Sequence, residues 1–317
     1  MLMVLFVSEP LQARQNKVRV WIDTDAACTG AFAVDVDDCW ALALLLRDTT
    51  VEIVGISTVF GNRRTATSEG EMRRILHAIS PNASQTRTIP VVEGASRPPE
   101  IFNSSPNLAA KAIIEKLEKS PLTILALGPL TNIASVVARR PDLSGRISNI
   151  VAIAGQRPGE RFFPGRSRFF HVHDMNFRKD VTAFKLVLES HAAVTLVPYI
   201  AGSQVIIGKK DLAHLQQGNR QTQWLADTSR GWLEFWEAYF GVSGFYPFDL
   251  LGAAYLTVSD GLKCRQTRAR IVYRRGLFTV RDTLEVDADS GRYLHYCDEV
   301  TAQLGNQLVS RFLKRAH

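Results

Sequence analysis

Several common devices are missing from this 317-residue chain. Its four cysteines, Cys28, Cys39, Cys264 and Cys297, show no Cys-x-x-Cys spacing. That argues against a zinc knuckle and against a disulfide scaffold, so reduced thiols and a cytoplasmic location are the expectation. The apolar start, MLMVLFV, is too short to span a bilayer. It has no basic leader and no clean cleavage site, so residues 1–17 are read as a disordered extension rather than a signal peptide. The first strand is not followed by Gly-x-Gly-x-x-Gly, which removes the usual dinucleotide-binding reading. The net charge is +7, yet Lys and Arg gather only in short pairs such as Arg63–Arg64 and Arg139–Arg140. A scattered basic surface points to neither nucleic acid nor membrane as a partner.

What is present is concentrated acid. Between residues 23 and 38 stand Asp23, Asp25, Asp35, Asp37 and Asp38, led in by VRVWID and led out by an apolar run. Carboxylates this close repel one another unless a cation sits among them. A hard divalent ion, which prefers oxygen ligands, is the economical partner.

The rest of the chain supplies a frame for such a site. Runs 18–23, 51–60, 89–94, 122–128, 149–155 and 193–198 are rich in Val and Ile and mostly apolar throughout. That is how strands buried on both faces read. Helical patterns fall between them at 38–47, 66–79, 107–119, 131–140 and 181–190. The alternation predicts an α/β fold: an open, mostly parallel sheet flanked by helices. The last third changes character. Residues 210–258 read as helical, 269–286 as a hairpin around Gly276, and 298–315 as an amphipathic helix. No linker or repeat interrupts the chain, so 18–317 is read as one domain.

Ligands of open parallel sheets bind beyond the carboxyl ends of the strands. There the chain places Asp23-Thr24-Asp25, Gly61-Asn62, Leu127-Gly128-Pro129-Leu130-Thr131-Asn132 and Gly155. Asp37 and Asp38 fall at a helix start, where the helix dipole favours negative charge. One Asp there is an ordinary cap; five acids at one rim are not.

These motifs, with Asp174-Met175-Asn176-Phe177 and Phe248-Asp249-Leu250-Leu251-Gly252-Ala253 after them, resemble the nucleoside hydrolase family of the inosine-uridine preferring type, in order across residues 18 to about 256. The resemblance implies hydrolysis of the N-glycosidic bond of a ribonucleoside with one Ca2+ as cofactor. It implies that Asp25, Asp38, Asp249 and the carbonyl of Leu127 hold the ion, and that Asp25 is the base for its water. It implies that Asp37, Asn62, Asp174 and Asn176 hold the ribose, and that the chain is a possible homo-oligomer, a dimer or a tetramer.

Three departures bear on that expectation. An insertion, Ala26 to Val36, replaces the family's Pro-Gly turn, and its short residues read as a flexible loop with Asp35 as a helix cap. Phe248 stands where many members carry a His that protonates the leaving base, which leaves His171 and His173 as nearby donors. Met175 and Asp174 replace Phe and Glu, which shortens the reach to the sugar. Trp232, Trp236, Tyr239 and Phe240 share one helical face and read as core, with Trp236 or Tyr246 available to stack on a base. The loss of the His leaves a non-catalytic ribosyl-binding relative as the alternative. A phosphotransferase of the haloacid-dehalogenase type shares the Asp-x-Asp start, but Ala27 stands where it has Thr or Val, and the other motifs go unexplained.

Overall fold

The computed structural model describes residues 17–98, 106–166, 171–275 and 280–313. The read extension therefore lies almost wholly outside the described residues. So does the hairpin turn at Gly276.

The first half alternates as expected: β1 (Val18–Thr24), α1 (Asp37–Leu45), β2 (Val51–Thr58), α2 (Glu69–Ile79), α3 (Ala83–Thr88), β3 (Val91–Glu93), α4 (Leu108–Lys119), β4 (Leu122–Ala126), α5 (Thr131–Arg139) and β5 (Ile147–Ala152). Then come α6 (Met175–Lys179), α7 (Val181–Glu189), β6 (Val194–Leu196), α8 (Tyr199–Gly202), α9 (Lys209–Gln216), α10 (Arg220–Phe240) and α11 (Phe248–Thr257). The chain finishes with β7 (Leu262–Arg275), β8 (Val280–Val286), β9 (Arg292–Val300) and α12 (Ala302–Leu313).

Among the described residues the strands form one nine-stranded sheet in the order β3-β2-β1-β4-β5-β6-β9-β7-β8. From β3 through β6 every pairing is parallel. β9 joins β6 in parallel, and β7 is antiparallel to both β9 and β8. The chain leaves β1 in one direction to β2 and returns on its other side to β4, so the order reverses at β1 and opens a crevice beyond its carboxyl end. Apolar side chains cover both faces. Trp40, Leu42 and Leu44 of α1 pack with Leu250 and Leu251 of α11 on one side. Ile113, Ile133 and Phe184 pack on the other.

The expected hairpin is a three-stranded ribbon. β9 carries Arg292, His295, Asp298 and Glu299 among its apolar residues, and that mixed pattern hides a strand. α3, α6 and α8 were not anticipated, because elements of four to six residues are too short to show a helical period.

The expectation of reduced thiols is corrected. Cys28 is bonded to Cys39 and Cys264 to Cys297, leaving no free cysteine. The pairs are 11 and 33 residues apart, so no local motif announces them. The fold brings them together, one pair by folding the insertion back on α1 and the other by pairing β7 with β9.

Candidate active site

β1 ends in Asp23 and Thr24, with Asp25 directly after them, and all three are buried. Asp23 points into the sheet and is braced there. Its Oδ1 accepts from Ser57 Oγ at 2.5 Å and from Asn132 Nδ2 at 2.8 Å. Asn132 also donates to the carbonyl of Thr58 at 3.0 Å and accepts from the Ala95 amide at 2.9 Å. The Gly-Pro-Leu-Thr-Asn turn thus locks three strand ends together. Burial pushes the Asp23 carboxyl up to about 7, against the lowering effect of its two donors.

Asp25 faces the crevice. Its Oδ2 accepts the Asn62 amide at 2.8 Å. A Cβ on Gly61 would lie 1.7 Å from that same oxygen, so the β2–α2 turn requires glycine to wrap this carboxylate. Asp38, in the first turn of α1, accepts from Thr24 Oγ1 and from Asn62 Nδ2, the latter at 3.1 Å. Asp249, in the first turn of α11, arrives from more than two hundred residues away, and its amide donates to Asp37 Oδ2 at 3.2 Å. Carboxylate oxygens of Asp25, Asp38 and Asp249 lie within 4.8 Å of one another, all buried.

Such a cluster is electrostatically costly. Burial raises Asp25, Asp37 and Asp249 well above the ordinary carboxylate range, and neighbouring acids raise them further. Burial takes Asp38 to about 6. The donors are all hard oxygens, closely grouped and starved of positive charge, so they fit a hard dication. Among the described residues a single ammonium, Lys179 at the end of α6, reaches Asp25 Oδ2 at 3.7 Å.

A cavity of about 440 Å3 opens over the cluster. Asp25, Asp35, Asp37, Asn62, Asp174, Asn176, Lys179 and Asp249 line its acidic end. Phe162, Tyr199, Trp232, Phe235, Trp236, Phe240 and Phe248 line the rest. α6 begins at Asp174, whose Oδ1 caps the Phe177 amide at 3.1 Å and whose Oδ2 accepts the Gly155 amide at 2.7 Å. Burial lifts this carboxyl to about 6. Asn176 donates to the carbonyls of Leu127 at 2.7 Å and Ile153 at 3.1 Å. Leu127 and Asp38 lie beneath the cavity wall, and the other expected site residues line it.

The chain matches the family model described as inosine-uridine preferring nucleoside hydrolase over residues 20–303. The chain belongs to that family. As a nucleoside hydrolase it is an N-ribosyl hydrolase, an enzyme that breaks the N-glycosidic bond of ribonucleosides. It is 26% identical over 280 residues to the probable uridine nucleosidase 1 of Oryza sativa subsp. japonica, covering 78% of this chain and 81% of the relative. It is 26% identical over 257 residues to uridine nucleosidase 1 of Arabidopsis thaliana, covering 72% and 70%. Its fold matches that of a solved plant nucleoside hydrolase, the PpNRh1 enzyme, with a TM-score of 0.75 at 19% identity, covering 94% and 98%. It likewise matches the inosine-uridine preferring nucleoside hydrolase of Bacillus anthracis, with a TM-score of 0.69 at 20% identity, covering 94% and 99%.

This nucleoside hydrolase differs from its sequence reading at the aromatic end. The insertion is fastened rather than loose. Thr67 Oγ1 donates to the Ala26 carbonyl at 2.6 Å, and Cys28 is tied to α1. Phe32 sits 5.7 Å from Phe235, edge to face. Gly231 of α10 lets the insertion press in, since a Cβ there would lie 2.8 Å from the Gly30 and Ala31 backbone. Asp35 accepts the Asp37 amide at 3.2 Å, but Val36 holds the N-cap position of α1, so Asp35 braces the turn before the helix instead of capping it. Tyr239 is 65% exposed and leaves the core face it was assigned, while Trp236 stays buried and lines the cavity. Tyr246 stands behind, packed on Trp236 and Phe248. His173 lines the cavity; His171 backs it with ring centroids 4.4 Å apart. Lys179, Phe162 and Tyr199 were missed. Lys179 had one usable signal, since it follows Asn176 by three residues and so shares its helix face.

Proposed function

We propose that this nucleoside hydrolase requires a calcium ion held by Asp25, Asp38, Asp249 and the carbonyl of Leu127, with Asp25 as the base for the attacking water. The observation that carries the reading is the convergence of three buried carboxylates within 4.8 Å at the reversal point of the sheet. When bound, the ion supplies positive charge, holds water and sugar hydroxyls, and lowers the pKa of that water. Asp25 lies on the cavity wall, where it takes up a proton from water.

Asp37, Asn62 and Asn176 present polar groups toward the ribose. Asp174 shapes the same wall, with both oxygens on backbone amides that set where Asn176 stands. The carboxylates also favour the positive charge that develops on the sugar as the bond to the base breaks. The base then sits among Trp236, Phe162 and Phe248, whose rings meet in edge and tilted contacts. Phe248 cannot give the departing base a proton. His173 on the same wall carries an imidazole that can.

Release of free ribose from a panel headed by uridine and inosine tests the reading. Stripping divalent ions with a chelator abolishes release and Ca2+ restores it. Release that survives complete chelation refutes the ion requirement. A dimer or tetramer belongs to the same proposal and is read by light scattering. Among the described residues no helix is long and apolar enough to cross a membrane. The cytoplasmic setting expected from free thiols loses its support with both cysteine pairs bonded, since disulfides persist in oxidising compartments.

A further inference from the structure

α6 is short but firmly placed. Asp174 caps it, and Asn176 ties it to the carbonyls of Leu127 and Ile153. One turn after Asn176, on the same face, Lys179 extends its ammonium to 3.7 Å from Asp25 Oδ2. The Lys179 side chain is 21% exposed and that of Asp25 is 3% exposed. Among the described residues this is the one ion pair made by any of Asp25, Asp35, Asp37, Asp38 and Asp249. Five acids therefore share one cation, and that cation sits on an oxygen-bearing group that a dication would also need.

We propose that Lys179 is a tethered counter-ion of the carboxylate cluster. It holds the cluster together in the metal-free protein and competes with the divalent ion for Asp25, so that ion binding displaces it and ion affinity is held down. The inference rests on the ion-site reading above. Lys179 cannot act as a fifth ligand, because an ammonium has donors only. Its charge is of the same sign as the ion, and two cations at one buried carboxylate repel.

Calorimetric titration of chelator-stripped protein with Ca2+ tests this. Lys179→Met keeps the length and removes the charge, and it binds Ca2+ about tenfold or more tightly than the native chain. Its metal-free melting temperature falls, so its gain in melting temperature on saturation with Ca2+ is larger. Lys179→Arg restores native affinity. Equal or weaker affinity in Lys179→Met overturns the proposal while leaving the ion site standing. Absence of Ca2+ binding in both native and variant chains overturns the ion site and the proposal together. Should Lys179→Met fail to fold, the native chain carries the test. Acetylation of the Lys179 amine, followed by peptide mapping, increases when Ca2+ is added. An amine whose labelling does not change refutes displacement.

Discussion

At the acidic end of the cavity the working groups sit on or immediately beyond regular elements. Asp25 directly follows β1, Asp38 and Asp249 lie in the first turns of α1 and α11, and Asn62 follows β2. At the aromatic end the wall is assembled from separate pieces: α10, α8, the segment carrying Phe162, and the insertion braced against Phe235. The acidic end is held by hydrogen bonds from backbone amides and from short polar side chains, and carries its strain as charge. The aromatic end is held by ring packing and can change residue by residue without disturbing the sheet. On the proposed reading, chemistry is fixed to the rigid frame and selection among bases is left to the adaptable side.

The sharpest way to break that contrast is at Asp25. Asp25→Asn keeps the shape and the Asn62 amide contact but removes the proposed base and one charge. Turnover falls by about 10³-fold, with weaker Ca2+ affinity measured alongside. A variant retaining most of its turnover would move the base elsewhere.

The acidic end was legible because its signals are local. Strand ends can be read from runs of Val and Ile, and a parallel sheet makes strand ends converge, so Asp25, Asn62 and Leu127 could be grouped before any coordinates. Asp249 was legible only through an ordered motif, since nothing in its own neighbourhood marks it as acidic-site material. The aromatic end was legible only in part: Trp236, Phe248 and His173 could be named, but not Phe162 or Tyr199. Trp236 and Tyr239 share a helical face in the sequence, yet one is buried and the other 65% exposed. Which arc of α10 turns inward depends on the insertion lying across it at Gly231. Lys179 escaped because its one signal, the i, i+3 relation to Asn176, can be used only once α6 is known to be a helix, and five residues show no helical period.

Charge stored at the acidic end should appear as pH-dependent stability. Asp174 is lifted by burial to about 6, so its contribution is complete below the unfolded pKa near 4 and is lost as pH rises through 6. In chelator, the native chain therefore loses stability across this window. Asp174→Asn removes a share on the order of 3 kcal/mol of that pH-dependent loss. Denaturant unfolding at pH 3 and 7.5, on either side of both pKa values, gives the difference, and the constant cost of one amide facing a wrong partner cancels. An unchanged difference would mean that the Asp174 carboxyl is not strained.

The Cys28–Cys39 bond joins the two ends, because the insertion carries Phe32 to α10 while α1 carries Asp38. Cys28 and Ala33 hold φ of 32° and 63°, a path that residues with side chains seldom adopt unaided. Closing so short a loop contributes about 2–3 kcal/mol. Cys28→Ser should lower unfolding stability by that amount and raise KM as Phe32 leaves Phe235. Cys264→Ser, in the distant strand ribbon, should lower stability without moving KM. Equal effects on KM would dissolve the special link between the insertion and the cavity.

The smallest expected effect tests the aromatic end alone. Trp236 contacts Tyr246 and Phe248 through ring centroids 5.0 and 6.2 Å apart and forms cavity wall. Trp236→Phe keeps an aromatic surface, whereas Trp236→Leu removes it with less loss of volume than alanine. A stacking contribution of about 1 kcal/mol corresponds to a KM rise of about five- to tenfold in Trp236→Leu, and less in Trp236→Phe. Turnover should stay within about twofold, because the carboxylates and amides of the acidic end are untouched. A matching fall in turnover would show that the ring contributes to the transition state rather than to binding alone. The two ends would then not divide selection from chemistry as their construction implies.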